Sequence, residues 1–382
     1  MFRIQECLEW GQLATFVPNK KLPVYNWFYY KEGFSRDLVL ELIRMFNIKE
    51  EQTVLDPFCG VGTTLLASQE SGINSIGFDV QPVSVFVSKT KTDRYDLNEL
   101  KCWSKKLFSE KFEKPDISCQ PPLVKKAFKK ETLEDAVFFR NKIMFIPSEK
   151  TRNFLMLALM NSAVKASYIY KDGAVIKIRK KPVPPLRKFF QRTVNKMLRD
   201  LKNFQRKESK TFVDFGDARK LRIENESIDA VITSPPYLNK IEYSKVYEIE
   251  QKLFLDLFQE KPALRSYIGI DTDINEINRN LLEYSDSLPE TLPPEAKPYF
   301  LDLIQVTKEL YRICKKGAKL GIVTGNGCFP HTVVDSDIIL CKIAKKTGFK
   351  VKKLLVLNKR WCTRNRTKKV GITRESLLLW EK

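Results

Sequence analysis

Two short apolar stretches each run directly into a loop that an ordinary surface turn does not require. TVLD, Thr53–Asp56, enters PFCGVGTT, and AVIT, Ala230–Thr233, enters SPPY. The first loop is glycine-rich, and glycine lets the backbone turn left-handed and lets a ligand approach with no Cβ in the way. A helix-length segment follows, Thr64–Gln69, and then a second apolar stretch, Asn74–Asp79, that ends on an acid. Strand, glycine turn, helix and strand in that order are the first unit of a doubly wound α/β sheet. Such sheets bind ligands at the carboxyl ends of their strands.

Further elements are legible downstream. Ser35–Phe46 reads as an amphipathic helix with Ser35 as its cap. Thr211–Phe215 and Ile228–Thr233 read as strands, followed by a helix over Glu242–Phe258. Phe300–Cys314 and Asp335–Lys346 read as helices around a strand at Lys319–Thr324. The end reads as two strands, Lys350–Leu357 and Ser376–Trp380, joined by a basic loop. Between about residues 95 and 210 the pattern turns basic and mainly helical, with a short strand near Ala174–Arg179 and a proline-stiffened link, Lys180–Phe190, into a last basic helix. The expected organisation is a cofactor-binding half at 1–94, a basic insertion at 95–210 and a catalytic half at 211–382.

Charge narrows the partner. The chain carries a formal net charge of +21, which favours a polyanion, most simply nucleic acid. A charge-rich solvated surface is the alternative. The distribution favours the former, since residues 95–210 hold 28 Lys/Arg against 12 Asp/Glu, so +16 of the +21. The 8 Cys are scattered without a Cys-x-x-Cys pair, and there is 1 His, so neither a metal site nor a disulfide framework is expected. Apolar runs such as Phe154–Met160 are too short to cross a bilayer, and no signal-peptide pattern opens the sequence. The expected setting is cytoplasmic, with no membrane partner.

The residues around the first loop suit a nucleoside-bearing cofactor. Gly60 and Gly62 open the backbone, and Asp79, closing the second strand, is placed to take ribose hydroxyls. A dinucleotide site fits less well, because the G-x-G is followed by Thr63-Thr64. DPFCGVGTT together with TSPPY resembles the amino-methyltransferases, which methylate exocyclic nitrogens of nucleobases with S-adenosylmethionine. The resemblance covers about half the chain and implies a Rossmann-like methyltransferase sheet carrying a basic, mainly helical insertion. It implies further that Asp56, Phe58, Gly60, Gly62, Thr63 and Thr64 surround the cofactor. NWFYYKEGFS resembles the family's upstream segment, with Lys31 and Phe34 as contacts, and Asp217 resembles the acid that reaches the adenine amino group.

The second loop matches the chemical problem. An exocyclic amine is a poor nucleophile because its lone pair is delocalised into the ring. Two fixed acceptors, the Ser234 hydroxyl and the Pro235 carbonyl, would draw both N–H groups and localise that lone pair. Pro235 and Pro236 pre-set the backbone, and Tyr237 offers a ring on which the base can stack. No Pro-Cys dipeptide is present, which argues against ring-carbon methylation. Serine at the head of the tetrapeptide resembles the enzymes acting on N4 of cytosine, and Asn239 and Tyr243 follow as in one branch of the family.

Two basic-aromatic segments are candidate nucleic-acid contacts. One carries Lys180, Lys181, Arg187, Lys188 and Arg192 beside Phe189 and Phe190; the other carries Arg360, Arg364 and Arg366 around Trp361. The expected function is N4-cytosine methylation of DNA, with a restriction endonuclease as a candidate partner. N4-cytosine methylation of structured RNA, N6-adenine methylation of DNA, and a cofactor-binding regulator without catalysis are the alternatives. Target sequence and oligomeric state are not encoded in any pattern found.

Overall fold

The computed structural model describes residues 3–172, 175–238, 243–255, 268–269, 283–364 and 368–382. Its strands are β1 (Arg3–Glu6), β2 (Thr53–Asp56), β3 (Asn74–Asp79), β4 (Ile169–Asp172), β5 (Val175–Ile178), β6 (Thr211–Phe215), β7 (Ile228–Thr233), β8 (Cys314–Gly325), β9 (Gly327–Cys328), β10 (Val333–Val334), β11 (Lys350–Arg364) and β12 (Lys368–Glu381). Among the described residues, eight of them form one sheet in the order β1-β11-β12-β8-β7-β2-β3-β6. All neighbours are parallel except β12, which runs antiparallel to both β8 and β11.

That order places the ligand crevice. β2 pairs directly with β7. The chain winds away from this junction through β3 and β6 on one side and β8, β12, β11 and β1 on the other. The order reverses between β2 and β7, so the loops leaving them diverge and open a crevice at their carboxyl ends. Both sequence motifs sit on that rim.

The helices that matter here are α1 (Arg36–Phe46), α2 (Thr63–Ser71), α3 (Pro82–Thr92), α4 (Leu97–Ser109), α5 (Pro122–Ala127), α6 (Lys130–Met144), α7 (Glu149–Lys165) and α8 (Leu186–Asn203). Ser35 caps α1 as expected, its hydroxyl accepting from the Leu38 N–H at 3.2 Å. The basic stretch contributes α4 to α8 and the hairpin β4–β5, and these share one apolar core with α3 and the lead-in residues Tyr25, Trp27 and Phe28. Trp27 packs edge-on to Phe154 at 5.4 Å and donates its indole N–H to Asp200 at 3.0 Å. The insertion is thereby fastened to the segment that walls the crevice. α8 buries Leu186, Phe190, Val194, Met197 and Leu198. It exposes Lys188, Arg192, Lys196 and Arg199 at helical spacing on the opposite face.

Three expectations are corrected. The carboxyl-terminal strands do not stop at Leu357 and restart at Ser376; they stay paired out to Arg364 and Lys368 as one long hairpin. Backbone pairing in a ribbon leaves its side chains to solvent, so the basic run that read as a loop is compatible with strand. Cys328 and Cys362, 34 residues apart, are joined by a disulfide with Cα atoms 5.7 Å apart. Spacing carries no signal for such a pair, because the hairpin alone brings β11 over β9. After the second motif come short turns of helix, Tyr243–Val246, Glu248–Glu250 and Gln251–Leu255, rather than one straight helix. Residues 242 and 256–258 of the expected helix lie outside the described residues, as does residue 174 of the expected short strand.

Candidate active site

The two motif loops are bolted together beneath the crevice. Asp56, at the end of β2, is buried and accepts hydrogen bonds from the Thr233 hydroxyl at 2.6 Å, the Thr64 hydroxyl at 2.7 Å and the Phe58 N–H at 3.2 Å. Burial pushes its carboxyl up to about 6 against the pull of those donors. Asp79, at the end of β3, accepts from the Gly60 N–H at 2.9 Å and the Gln81 N–H at 2.8 Å. Burial raises it to about 6 as well.

The glycines are conformational necessities. Gly60 has φ +50 and Gly62 φ +80, a region that L side chains rarely adopt. A Cβ on Gly60 would stand 3.1 Å from the Tyr30 ring, and one on Gly62 would stand 3.1 Å from the Ser88 hydroxyl. Gly62 caps α2, so the turn delivers Thr63 and Thr64 directly into the helix.

Above these residues lies a cleft of about 350 Å³, within the range of small-ligand sites. The structure gathers most of the expected site there. Lys31, Phe34, Asp56, Phe58, Gly60 and Thr63 line it, as do Asp79 and Asp217 and the loop Ser234–Tyr237. Gly62 and Thr64 do not reach the wall, since their roles are in the turn and in the Asp56 bond. Asp217 is clamped by Arg219, whose Nε lies 2.9 Å from one carboxylate oxygen and whose Nη2 lies 2.6 Å from the other. Arg219 in turn pairs with the buried Asp302 at 3.1 Å.

The Ser234–Tyr237 loop is held from behind. Tyr299 donates its hydroxyl to the Pro236 carbonyl at 2.8 Å, and Tyr237 donates its hydroxyl to Glu375 at 2.9 Å. A Cβ on Gly325 would fall 2.6 Å from the Tyr237 ring, so that glycine is a seat for the aromatic face. Glu375, Tyr299 and Gly325 carry no motif. They become legible only once β8 lies beside β7 and β12 beside β8, with Tyr299 on the helix Lys297–Ile313.

The candidate nucleic-acid residues divide. Lys180, Lys181, Lys188 and Arg192 are exposed. Arg187 instead lies against the Phe139 ring at 4.9 Å and donates to the Glu110 carbonyl at 3.4 Å, a packing role within the helices. Phe190 is fully buried and offers no ring to a base. Arg360 lines the cleft itself. Trp361 is 55% exposed, with the Lys369 ammonium 4.4 Å from its ring centroid. Asn239 and Arg366 lie outside the described residues, as do the side chains of Tyr243 and Arg364.

A family model described as DNA methylase, the N6/N4 methyltransferase family, matches residues 12–89, the span that runs from the lead-in through β2, the glycine turn and β3. Over that span the chain matches the N4/N6 DNA methylase family. Its similarity extends well beyond that span. The type II methyltransferase M.BsoBI of Geobacillus stearothermophilus is 28% identical over 97% of this chain and 88% of its own length. The type II methyltransferase M.AvaI of Anabaena variabilis is 27% identical over 93% of this chain and 85% of its own. Among solved structures, a methyltransferase of Methanosarcina mazei aligns over 89% of this chain and 96% of that one, at 9% identity and a TM-score of 0.33, too distant to bear on the site. The methyl donor of this methylase is S-adenosylmethionine, and the cleft suits it. Glycine backbone and a carboxylate at Asp79 are available for the nucleoside, and Glu32 brings a buried carboxylate oxygen with no partner among the described residues. No helix among the described residues is long and apolar enough to cross a membrane.

Proposed function

We propose that this protein transfers a methyl group from S-adenosylmethionine to the exocyclic N4 of cytosine in duplex DNA at a specific site. The observation that carries the reading is the junction of the two loops at Asp56. The glycine turn and Ser234-Pro235-Pro236-Tyr237 rise from adjacent parallel strands and face one cleft. When bound, the cofactor supplies an electrophilic methyl on a sulfonium centre. The protein does the rest by positioning. Asp79 takes the ribose hydroxyls, with Gly216–Ala218 beyond it toward the adenine. The Ser234 hydroxyl and Pro235 carbonyl accept the two N–H groups of the target amine, and Tyr237 stacks on the base once it has left the duplex.

Serine at position 234 supports cytosine over adenine. The exposed face of α8, the Lys180–Lys181 link and the hairpin around Arg360 and Trp361 are where we place the DNA, with residues 95–210 as target-recognition region. The type II relatives support DNA over RNA and a companion restriction endonuclease as the biological setting. The test is transfer of tritiated methyl groups into duplex DNA and total RNA in parallel, with nucleoside mass spectrometry. N4-methylcytosine in DNA supports the reading; N6-methyladenine changes the target base, and label in RNA alone overturns the substrate.

A further inference from the structure

Arg360 stands on the wall of the cleft that Tyr237 forms. In the long hairpin Arg360 lies opposite Thr373, and Asn358 lies opposite Glu375. Cross-strand partners share a face, and so do residues two apart on a strand. Arg360 therefore rises on the face that carries Glu375, and both line the cleft with Ser234–Tyr237. Glu375 is committed to the Tyr237 hydroxyl at 2.9 Å. The strand under Arg360 is anchored twice. Its carbonyl accepts the Thr373 hydroxyl at 3.1 Å, and Cys362, two residues on, is joined to Cys328.

The side chain itself is left open. Among the described residues its guanidinium makes no hydrogen bond and no ion pair, although a carboxylate stands on the same face. Lys31 is the other basic residue lining the cleft among the described residues. It belongs to the lead-in, next to the Tyr30 ring that presses on Gly60. Arg360 is thus the cation on the target-base side. A planar fork of N–H donors matches a planar pair of acceptors.

Cytosine offers such a pair. With its ring on Tyr237 and its amine between the Ser234 hydroxyl and the Pro235 carbonyl, the next groups along the same edge are N3 and O2. Both are acceptors. Adenine follows its amine with N1 and then a C–H, so it offers one acceptor there. We infer that Arg360 is the specificity-determining contact for the target base, donating to N3 and O2 of the extruded cytosine. The inference rests on the N4-cytosine reading and names the residue that selects that base over adenine. Ser234 and Pro235 read the donors of the base, and Arg360 reads its acceptors.

The test begins by mapping the base and site that the full chain methylates in plasmid DNA. N6-methyladenine at that stage overturns the cytosine reading itself, whatever Arg360 does. Two duplexes carrying the mapped site follow, one with cytosine at the target and one with a 2-aminopyridine C-nucleoside, which keeps the amine and ring nitrogen but lacks the 2-oxo group. Wild type is expected to lose about tenfold or more in kcat/KM on the analogue. Arg360→Met is expected to lose about tenfold to a hundredfold on cytosine and less than about twofold further on the analogue. Arg360→Lys, which keeps the charge without the fork, is expected to fall between them. Equal losses for Arg360→Met on both duplexes overturn the inference. A salt slope of binding lower by about 1 then marks a phosphate contact, and an unchanged slope marks a structural role. No loss by wild type on the analogue overturns it as well.

Discussion

The Thr233 hydroxyl donates to Asp56 at 2.6 Å, joining the last residue of one strand to the last residue of its neighbour. The two residues are 177 positions apart in the chain, and each opens a different functional loop. Rate and cofactor affinity are therefore expected to be coupled through one buried carboxylate.

Thr233→Val keeps the shape and removes that donor. Leaving a buried carboxylate oxygen under-satisfied is expected to cost about 1–3 kcal/mol of stability. Urea denaturation measures it, and turnover is expected to fall with cofactor affinity as the loops lose their common anchor.

Asp56 and Asp79 both titrate near 6 because burial penalises their charge. In each, the folded pKa lies above the unfolded one, so the folded state holds a proton that the unfolded chain has released. The favourable contribution of the neutral form is full below about 4, declines as pH rises toward 6 and is level above that. Ligand binding runs the opposite way, since the ionised Asp79 is the better acceptor for ribose hydroxyls. Affinity for S-adenosylhomocysteine is expected to be level at pH 7–8 and to weaken below about 6, and Asp79→Asn to lower affinity and flatten the profile. Titrations across pH 5–8 decide it; an unchanged profile in Asp79→Asn would assign the dependence elsewhere.

Ser234→Ala is expected to lower kcat by about a hundredfold while cofactor affinity stays within about twofold. Tyr237→Phe keeps the ring and loses the bond to Glu375, so its effect is expected to be smaller than that of Tyr237→Ala, which removes about 1–3 kcal/mol of stacking. Gly325→Ala drives a methyl into the Tyr237 ring and is expected to act on kcat in the same direction. Steady-state kinetics with separate cofactor titrations distinguishes these.

The Cys328–Cys362 disulfide ties the long hairpin to the segment beside the Ser234–Leu238 loop. Closing a loop of this size is worth about 3–4 kcal/mol in the chain-entropy description. Melting of the oxidised protein is expected to shift downward on adding reductant, and Cys328→Ser to melt at the reduced value in both conditions.

Lys188→Ala with Arg192→Ala on α8 is expected to weaken duplex binding uniformly across sequences and to reduce the salt slope by about 1 per cation lost. Trp361→Ala is expected to weaken binding with little change in that slope. Fluorescence anisotropy across a salt series separates the two. Arg187→Ala, packed on Phe139, is expected to lower stability rather than DNA affinity.

Much of the site was legible because its residues announce local chemistry. The glycine turn, the acid closing β3 and the Ser-Pro-Pro-Tyr loop follow apolar strands, and a strand followed by such a turn specifies its own geometry. Glu375 was not legible, since an isolated glutamate in a strand has no pattern until a partner stands beside it. Arg187 and Phe190 misled for the converse reason: a basic-aromatic run looks alike whether its rings face a nucleic acid or a helix core.

By itself the sequence determined the class of sheet, the order of its two functional loops, the family resemblance and the polyanionic preference. These depend on backbone freedom at glycine and proline, on apolar periodicity and on summed charge, all of which are local or additive. Tertiary structure alone decided that Asp56 meets Thr233, that Tyr237 rests on Gly325 and Glu375, and that Glu32 accepts the Tyr247 hydroxyl. Those contacts join segments that are distant in the chain and that the sheet order brings together. Their existence depends on strand order and on which polar atoms burial leaves without water.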